Sequence, residues 1–526
     1  MSDGQEPDPE SAVSSSPWSD VEGWKTGWFG GPAPPRYVYT RSAFLRAIGF
    51  IYAVAFLILI LQLKSLIGEQ GLLPASAYIE RLVNHHGGVS AAFAKVPTFF
   101  YWAHSDIQLL GFAWLGLGLS LAVMLGVENA LAMFFLWAIY MSFVHVGQTW
   151  YSFGWEILLL ETGFLCIFLC PLRSWRPYAS EPPIVVIWMT RWCLFRLMFG
   201  AGLIKLRGDD CWTELTCLSY HYETQPNPHP LSWLFHQAPL WFHKLSLLFN
   251  HFVELVVPFG LFGPRRLRRL AAVITIGFQA TIILSGNLSF LNWLAIALCI
   301  PCLDDDFLER FIPTGIRAAQ KHRVPAPHSP LQRLVLGALV LLVMLLSLGP
   351  IANMLSRRAK MNASFDPLNL VNTYGAFGSV TRVRDEVILQ GTSDSNITSA
   401  TVWQELEFHC KPGNIMRRPC LITPYHYRID WQMWFAGFGG LEAQPWLAHL
   451  MYKWLQGAPL IEDLVETNPF QGGAPKFVRA ARYRYHFTSF GEAGWWTREP
   501  MGSYSPTLHL KHRAFVGGLR RFGWAR

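Results

Sequence analysis

The chain has 526 residues, of which 52% are hydrophobic and only 15% are charged, and its formal net charge at pH 7 is +8. This composition is too apolar for an ordinary soluble protein, and the length exceeds what a single domain requires. Membrane topology explains the positive charge more simply than nucleic-acid binding does, so we expect no nucleic-acid partner.

Apolar runs fill most of the chain up to residue 355. Because about 20 apolar residues cross the hydrocarbon core as a helix, we predict about nine spans. They are Phe44–Leu63, Ile107–Gly126, Ala130–Gly147, Phe153–Leu172, Ile184–Leu206, Trp241–Phe262, Leu270–Ser285, Ser289–Leu303 and Leu334–Leu355. The expected fold is an α-helical polytopic membrane bundle, residues 41–355, followed by a β-rich α+β domain, residues 356–526. The polar, Pro/Ser-rich residues 1–40 are typical of a disordered tail.

Basic residues in the short loops predict the orientation, because such loops stay in the cytoplasm. An odd number of spans places the two chain ends on opposite sides of the membrane. With residues 1–40 in the cytoplasm, the inside loops carry more basic residues than the short outside loops, which hold Lys64, Arg81, Lys95 and Arg207. The inside set is Arg173, Arg176, Arg265, Arg266, Arg268, Arg269, Arg310, Arg317, Lys321, Arg323 and Arg333. The C-terminal domain is therefore expected on the outer, lumenal side.

Four of the nine cysteines fall on that outer side, where disulfides persist. Four cysteines allow three pairings, and we favour the two local ones, Cys211 with Cys217 and Cys410 with Cys420. The other five lie in or beside spans and are expected to be packing residues. In a eukaryotic host, the tripeptides that begin at Asn362 and Asn396 would be glycosylation acceptors on the same side.

Ionisable side chains within the spans are costly, so they normally pair in a bundle interior. The predicted intramembrane polar cluster consists of Glu156, Glu161, Arg191, Arg196, His251 and Glu254, with His243 about three turns before Glu254 on nearly the same helical face. We expect the carboxylates of span four to pair with the guanidinium groups of span five. The favoured interpretation is a structural ion-pair network; the alternative is a polar cavity that binds a lipid headgroup or performs acid/base chemistry.

The loop of residues 209–230 is dense in aromatic residues, prolines and hydrogen-bonding groups. His221 and Glu223 could bind a metal, but no third ligand has a suitable spacing, so we expect no metal site. We expect this loop to pack beneath the C-terminal domain, and Pro226, Pro228 and Pro230 to exclude a helix.

The C-terminal domain shows local strand and helix patterns. Val387–Gly391, Val402–Phe408 and Arg482–Thr488 are predicted strands, and Trp446–Gln456 is a predicted amphipathic helix that ends at Gly457. The aromatic segment 424–435 has two interpretations of equal weight, a buried core and a protein-binding surface. The chain lacks a nucleophile elbow, a zinc-protease motif, a Cys-x-x-Cys motif and a dinucleotide loop, so we expect no cofactor.

Several blocks together resemble the lipase maturation factor family. They are residues 155–164, 202–212, 220–226, 285–292, 372–379, 418–420, 425–434 and 468–470, and the likeness covers roughly residues 41–510. The membrane part is also distantly similar to the helical domain of vitamin K-dependent carboxylases.

The resemblance implies a polytopic membrane protein of the endoplasmic reticulum, or of the cytoplasmic membrane in a bacterial host. It implies a non-enzymatic assembly factor for secreted lipases, with the client lipase and membrane lipids as partners. The client-contact residues expected from it are Tyr425, Tyr427, Arg428, Trp431 and Trp434. The alternative is a membrane enzyme that acts on a lipid or quinone through the intramembrane cluster, with Lys205 or His221 as a base.

Overall fold

The structure is a computed structural model that describes residues 35–321 and 329–525. The first 34 residues of the predicted disordered tail lie outside the described residues. The last residues assigned to that tail are ordered, because the first helix begins at Val38.

The regular elements of the membrane part, within residues 35–321 and 329–355, are all helices. Its elements are α1 Val38–Ile67, α2 Ala75–His86, α3 Val89–Lys95, α4 Asp106–Leu125, α5 Ala130–Val146, α6 Gly154–Leu169, α7 Ile184–Arg207, α8 Leu218–Thr224, α9 Pro230–His236, α10 Leu240–Leu255, α11 Arg265–Ser285, α12 Leu291–Cys299, α13 Asp305–Leu308, α14 Thr314–Lys321 and α15 Pro330–Leu355. Helix α9 corrects one prediction, because Pro230 is its first residue. A proline is tolerated there since the N–H group it lacks would have no partner in the helix.

Six helical segments of the described chain are long and apolar enough to cross a membrane. They are α1, α4, α7, α10 with the 3-10 turn that continues it to Phe262, α11 and α15. The other three predicted spans correspond to α5, α6 and α12, which have 17, 16 and 9 residues. Length and composition therefore confirm six of the predicted spans and leave the count of about nine unconfirmed.

The helical bundle has two distinct ends. At the first, Asp305 accepts hydrogen bonds from the backbone N–H groups of Val38 (2.7 Å) and Thr40 (2.9 Å), and Arg41 pairs with Glu128 at 2.8 Å. We call it the basic end, because the arginine-rich start of α11 also lies there. The opposite end, where α1 finishes, carries the C-terminal domain and is called the domain end.

Close packing of α1 against α4 depends on two glycines. A Cβ atom at Gly116 would lie 2.2 Å from the ring of Phe56, and one at Gly49 would lie 2.6 Å from the backbone nitrogen of Met124. Small residues let helix backbones approach closely in membranes, where dispersion contacts drive association. These two positions therefore exclude any larger side chain without a shift of the helices.

The C-terminal domain is α+β. Its elements are β1 Ala363–Ser364, β2 Asn372–Thr373, β3 Arg384–Thr392, β4 Gln404–Glu405, α16 Arg428–Ala436, α17 Pro445–Leu455, α18 Leu460–Leu464, β5 Phe477–Phe487, β6 Trp496–Ser503 and α19 Arg513–Arg521. Strands β4-β3-β5-β6 form one antiparallel sheet, and β1 pairs with β2. The predicted strand 402–408 shrinks to β4, whereas α17 is followed at Gly457 by a left-handed residue with φ +64°, as its sequence predicts.

The C-terminal domain and the bundle share one hydrophobic core. Trp150, just before α6, packs against Trp446 of α17 with ring centroids 5.3 Å apart. The length of the C-terminal domain would permit an independent core, but its inner face is completed by residues of the bundle.

Candidate functional site

The first polar centre lies between α6 and α7, where a segment of the C-terminal domain enters the bundle. The Glu161 carboxylate pairs with Arg196 and accepts hydrogen bonds from the backbone N–H of Asn372 (2.9 Å) and the hydroxyl of Tyr374 (2.7 Å). Arg196 also donates to the carbonyl of Asn372. All four residues are buried. The pairing of Glu161 with Arg196 agrees with the sequence analysis, but the two β2-segment partners were not foreseen as part of it.

Glu156 corrects the predicted pairing, because its partner is Arg428 of the C-terminal domain and not an arginine of α7. The Arg428 Nη1 atom lies 2.7 Å from the carboxylate and donates to the carbonyl of Trp150 at 2.6 Å. Tyr140 and the indole of Trp155 also donate to Glu156. We call this contact the Glu156–Arg428 joint.

The joint is fully buried, with both side chains at 0% exposure. Desolvation alone would lower the pKa of Arg428, but the carboxylate of Glu156 raises it above its ordinary value, so the guanidinium stays charged. The guanidinium lies 3.5 Å from the ring centroid of Tyr151, a cation–π contact. The joint thus fixes α16 onto the bundle through a desolvated charge pair.

Arg191 lies near the basic end, away from both carboxylates of α6. It donates to the carbonyl of Pro301 at 3.0 Å and to the hydroxyl of Tyr37 at 2.9 Å, and its guanidinium lies over the ring of Trp188. The predicted pairing of Arg191 with a span-four carboxylate is therefore wrong. Both acceptors of Arg191 are neutral, and they belong to Tyr37 and Pro301, which are distant from each other in the sequence.

Glu254 forms a third centre near the domain end. It pairs with Lys205 of α7 and accepts a hydrogen bond from Asn250 at 3.0 Å. His251 does not join this pair: its Nε2 atom lies 3.0 Å from the carbonyl of Trp212. His243 is engaged in the same way, with its Nε2 atom 3.0 Å from the carbonyl of Phe235.

The predicted intramembrane cluster is therefore divided into separate centres. Each carboxylate of the set has a basic partner, at Arg428, Arg196 or Lys205. These buried pairs occupy all three carboxylates of the set, and they join elements distant in the chain. The arrangement favours the structural interpretation over the acid/base one.

Two of the expected client-contact residues are buried and cannot touch a partner in this conformation. Arg428 is 0% exposed in the joint, and Trp431 is 5% exposed. Trp431 packs against Trp155 and Phe153 of the bundle, with ring centroids 4.9 and 5.6 Å away. This part of the aromatic segment is thus the core between the two domains, which corrects the surface interpretation at these positions.

The two expected tyrosines are half-buried, and Tyr425 also helps to hold the domains together. The hydroxyl of Tyr425 accepts a hydrogen bond from Gln62 of α1 at 2.9 Å, and Tyr427 stacks on His409 with ring centroids 4.3 Å apart. The amide of Gln62 also donates to the carbonyl of His426 at 2.9 Å. Both tyrosines therefore have structural contacts that account for them.

Trp434 is the expected contact residue that borders open space. Its indole donates to the carbonyl of Thr224 at 2.8 Å, and its ring contacts Phe435 and Phe438, which are 37% and 53% exposed. The rings of Trp434 and Phe438 border a cavity of about 270 Å³, which we call the α16 cavity. Its wall is completed by the loop after α7 and by the segment before β3.

Glu223 and His221, which were considered as metal ligands, make other contacts in the structure. Glu223 accepts a hydrogen bond from the backbone N–H of Phe487 at 2.8 Å and lies 3.2 Å from His486. His221 packs on Phe377 with ring centroids 4.7 Å apart and lines the α16 cavity. Burial lowers the pKa of His221 to about 4, so it is neutral at physiological pH.

The loop of residues 209–230 packs against the C-terminal domain, as predicted. Arg384 of β3 donates to the carbonyls of Glu223 (2.8 Å) and Pro226 (2.9 Å), while Trp212 donates to that of Phe377 at 2.9 Å. The disulfides match the favoured pairing, with Cα–Cα distances of 4.8 Å for Cys211–Cys217 and 5.4 Å for Cys410–Cys420. Both bridges lie at the domain end.

Comparison with known proteins covers both parts of the chain. A sequence model described as the lipase maturation factor transmembrane domain matches residues 39–310, and one described as the lipase maturation factor C-terminal domain matches residues 370–506. The chain is 46% identical to lipase maturation factor 1 of Bos taurus over 497 residues, which cover 89% of each chain.

More distant relatives match over similar lengths. Identity to lipase maturation factor 1 of Homo sapiens is 43%, over 96% of this chain and 97% of that protein. Identity to lipase maturation factor 2 of Homo sapiens is 28%, over 92% and 84%. No solved structure matches the chain.

Proposed function

The chain belongs to the lipase maturation factor family, and from this premise we propose that it is a membrane-anchored assembly factor for secreted lipases. The observation that carries the proposal is that the likeness extends over both domains, since the C-terminal family domain accounts for residues 370–506. The relatives' names refer to the maturation of lipases and not to a chemical reaction on them.

We propose that the domain end faces the lumen of the endoplasmic reticulum. Two observations support this orientation. The basic end carries the Arg265, Arg268 and Arg269 cluster around Asp304, as expected of a cytoplasmic face. The two disulfides lie at the other end, and disulfides persist in oxidising compartments.

We propose that the protein acts by binding the immature lipase and not by catalysing a reaction. A client lipase that has not closed its dimer interface exposes apolar surface and is prone to aggregate. The Glu156–Arg428 joint keeps the C-terminal domain fixed at the membrane surface, where exposed aromatic rings such as Phe438 are available to such a client. The buried charges then serve to maintain this geometry.

The first test is complementation in cells that lack lipase maturation activity. Expression of the full chain should restore secretion of an active homodimeric lipase. The proposal fails if lipase remains inactive or retained while the protein is abundant and correctly oriented.

A second experiment separates the assembly factor from the membrane enzyme. Glu161→Gln leaves Arg196 buried without its carboxylate, so we expect lower protein abundance. The double variant Glu161→Gln with Arg196→Met removes both charges and should recover abundance and lipase secretion together. Lipase secretion that stays lost at wild-type abundance would instead identify the Glu161 carboxylate as a catalytic group.

A further inference from the structure

The α16 cavity is the feature of the C-terminal domain that the family likeness leaves without a role. Its apolar wall is formed by Phe377, Val380, Trp434 and Phe438, and no charged residue lines it. His221, which does line it, is neutral. An ionic ligand would be desolvated there without a partner, so the chemistry of the wall selects a neutral, apolar occupant.

Unused hydrogen-bonding groups stand at the cavity rim. Ser379 and Thr381 are exposed, and within residues 35–321 and 329–525 neither their hydroxyl groups nor the ring nitrogens of His221 make a protein hydrogen bond. An acyl chain could not use these groups. A peptide could, because its backbone carries a donor and an acceptor at nearly every residue.

The volume of the cavity also favours a peptide over a lipid. Sites for small molecules usually enclose about 300–1,000 Å³, and this one encloses about 270 Å³. The volume suits one bulky side chain better than a whole lipid. Phe438, 53% exposed, borders the cavity, and Phe435, 37% exposed, lies next to it with ring centroids 6.3 Å apart. These rings offer aromatic contact area to residues next to the inserted side chain.

We propose that the α16 cavity docks an apolar peptide segment of the immature client, with one aromatic or branched side chain inside and the adjoining backbone at the Ser379–Thr381 rim. This inference rests on the proposed function and moves the contact surface from the buried Arg428 and Trp431 to Trp434 and Phe438, at and just beyond the C-terminal end of α16. Burying one such side chain should tighten binding roughly ten- to a hundredfold.

The test uses the full chain, co-expressed with a homodimeric secreted lipase held immature by an interface mutation. Phe438→Asp places a charge at the mouth, and Thr381→Trp blocks the rim; both positions are exposed, so folding should be spared. Phe490→Asp is the matched control, because Phe490 is 66% exposed in the same domain but does not line the cavity. Co-precipitated immature lipase should fall at least tenfold in the first two variants and stay within twofold in the control.

A photoreactive residue at position 381 should also crosslink the immature lipase, whereas one at position 490 should not. The inference is overturned if Phe438→Asp and Thr381→Trp bind the lipase as the wild type does. It is also overturned if these variants lose only a co-purified lipid. In both cases lipase secretion by the wild-type chain would still support the proposed function, whereas failure of the wild type itself would remove that function.

Discussion

Breaking the Glu156–Arg428 joint should release the C-terminal domain from the bundle. Glu156→Gln keeps the size of the side chain but removes its charge, and Arg428 then remains at 0% exposure with a carbonyl and an aromatic ring as its nearest partners. Removing one partner of a buried ion pair costs about 3–5 kcal/mol. Because each 1.4 kcal/mol is a factor of ten, the opening equilibrium of the joint should rise about 10²- to 10⁴-fold.

Limited proteolysis of the detergent-solubilised protein measures this opening, since cleavage tracks the population of the open form when closing is fast. Cleavage sites within residues 356–526 should appear at much lower protease concentration in Glu156→Gln. Asp385→Asn is the control: its pair with Arg484 has side chains that are 23% and 29% exposed, so the change should be within about 1 kcal/mol.

The double variant Glu156→Gln with Arg428→Met tests the reasoning itself. It leaves no unpaired buried charge, so it should recover most of the protease resistance lost in the single variant. Wild-type cleavage of Glu156→Gln, or a double variant that opens as readily as the single one, would show that charge pairing does not hold the joint.

Three further outcomes are expected. In mammalian cells Asn396→Gln should remove a glycan and Asn362→Gln should not, because the Asn362 side chain accepts a hydrogen bond from the backbone N–H of Gly375 at 3.3 Å and lies against Gly154 at the start of α6. The electrophoretic mobility of each variant on a denaturing gel tests this. Burial lowers the pKa of His449 to about 4, below its unfolded value of about 6.5. The free energy of unfolding should therefore fall as pH drops through that window, and His449→Gln should reduce the fall, as measured by tryptophan fluorescence. Replacing Cys410 and Cys420 together by serine should lower the midpoint of thermal unfolding, by an amount that corresponds to about 2–3 kcal/mol.

Much of the fold was predictable because its signals are local. The hydropathy of α1 or α15 depends on consecutive residues, and Gly457 marks the end of α17 through its own backbone conformation. The pairing of Cys211 with Cys217 follows from a separation of six residues. The length of α12 was predicted less well, because the α-helix ends at Cys299, shortly before Pro301, and the chain continues there as a 3-10 turn.

The site was harder to predict, because its partners are distant in the chain. Glu156 and Arg428 are 272 residues apart, and no periodicity relates them. The arginines predicted to pair with Glu156, which lie in α7, and Arg428 of the aromatic segment were all chemically suitable partners for its carboxylate. The choice depends on where α16 docks, which is a property of the whole fold.

By itself the sequence determined the class of the protein: a helical membrane part with a basic end, a disulfide-containing α+β domain and a family likeness across both. These features follow from composition, spacing and ordered blocks of residues. Only the tertiary structure decided which charges pair and which aromatic residues in and after α16 are exposed, with Trp431 in the core and Phe438 at the surface. The physical reason is that an aromatic side chain has the same sequence signature in a core and on a binding surface, and packing alone distinguishes the two.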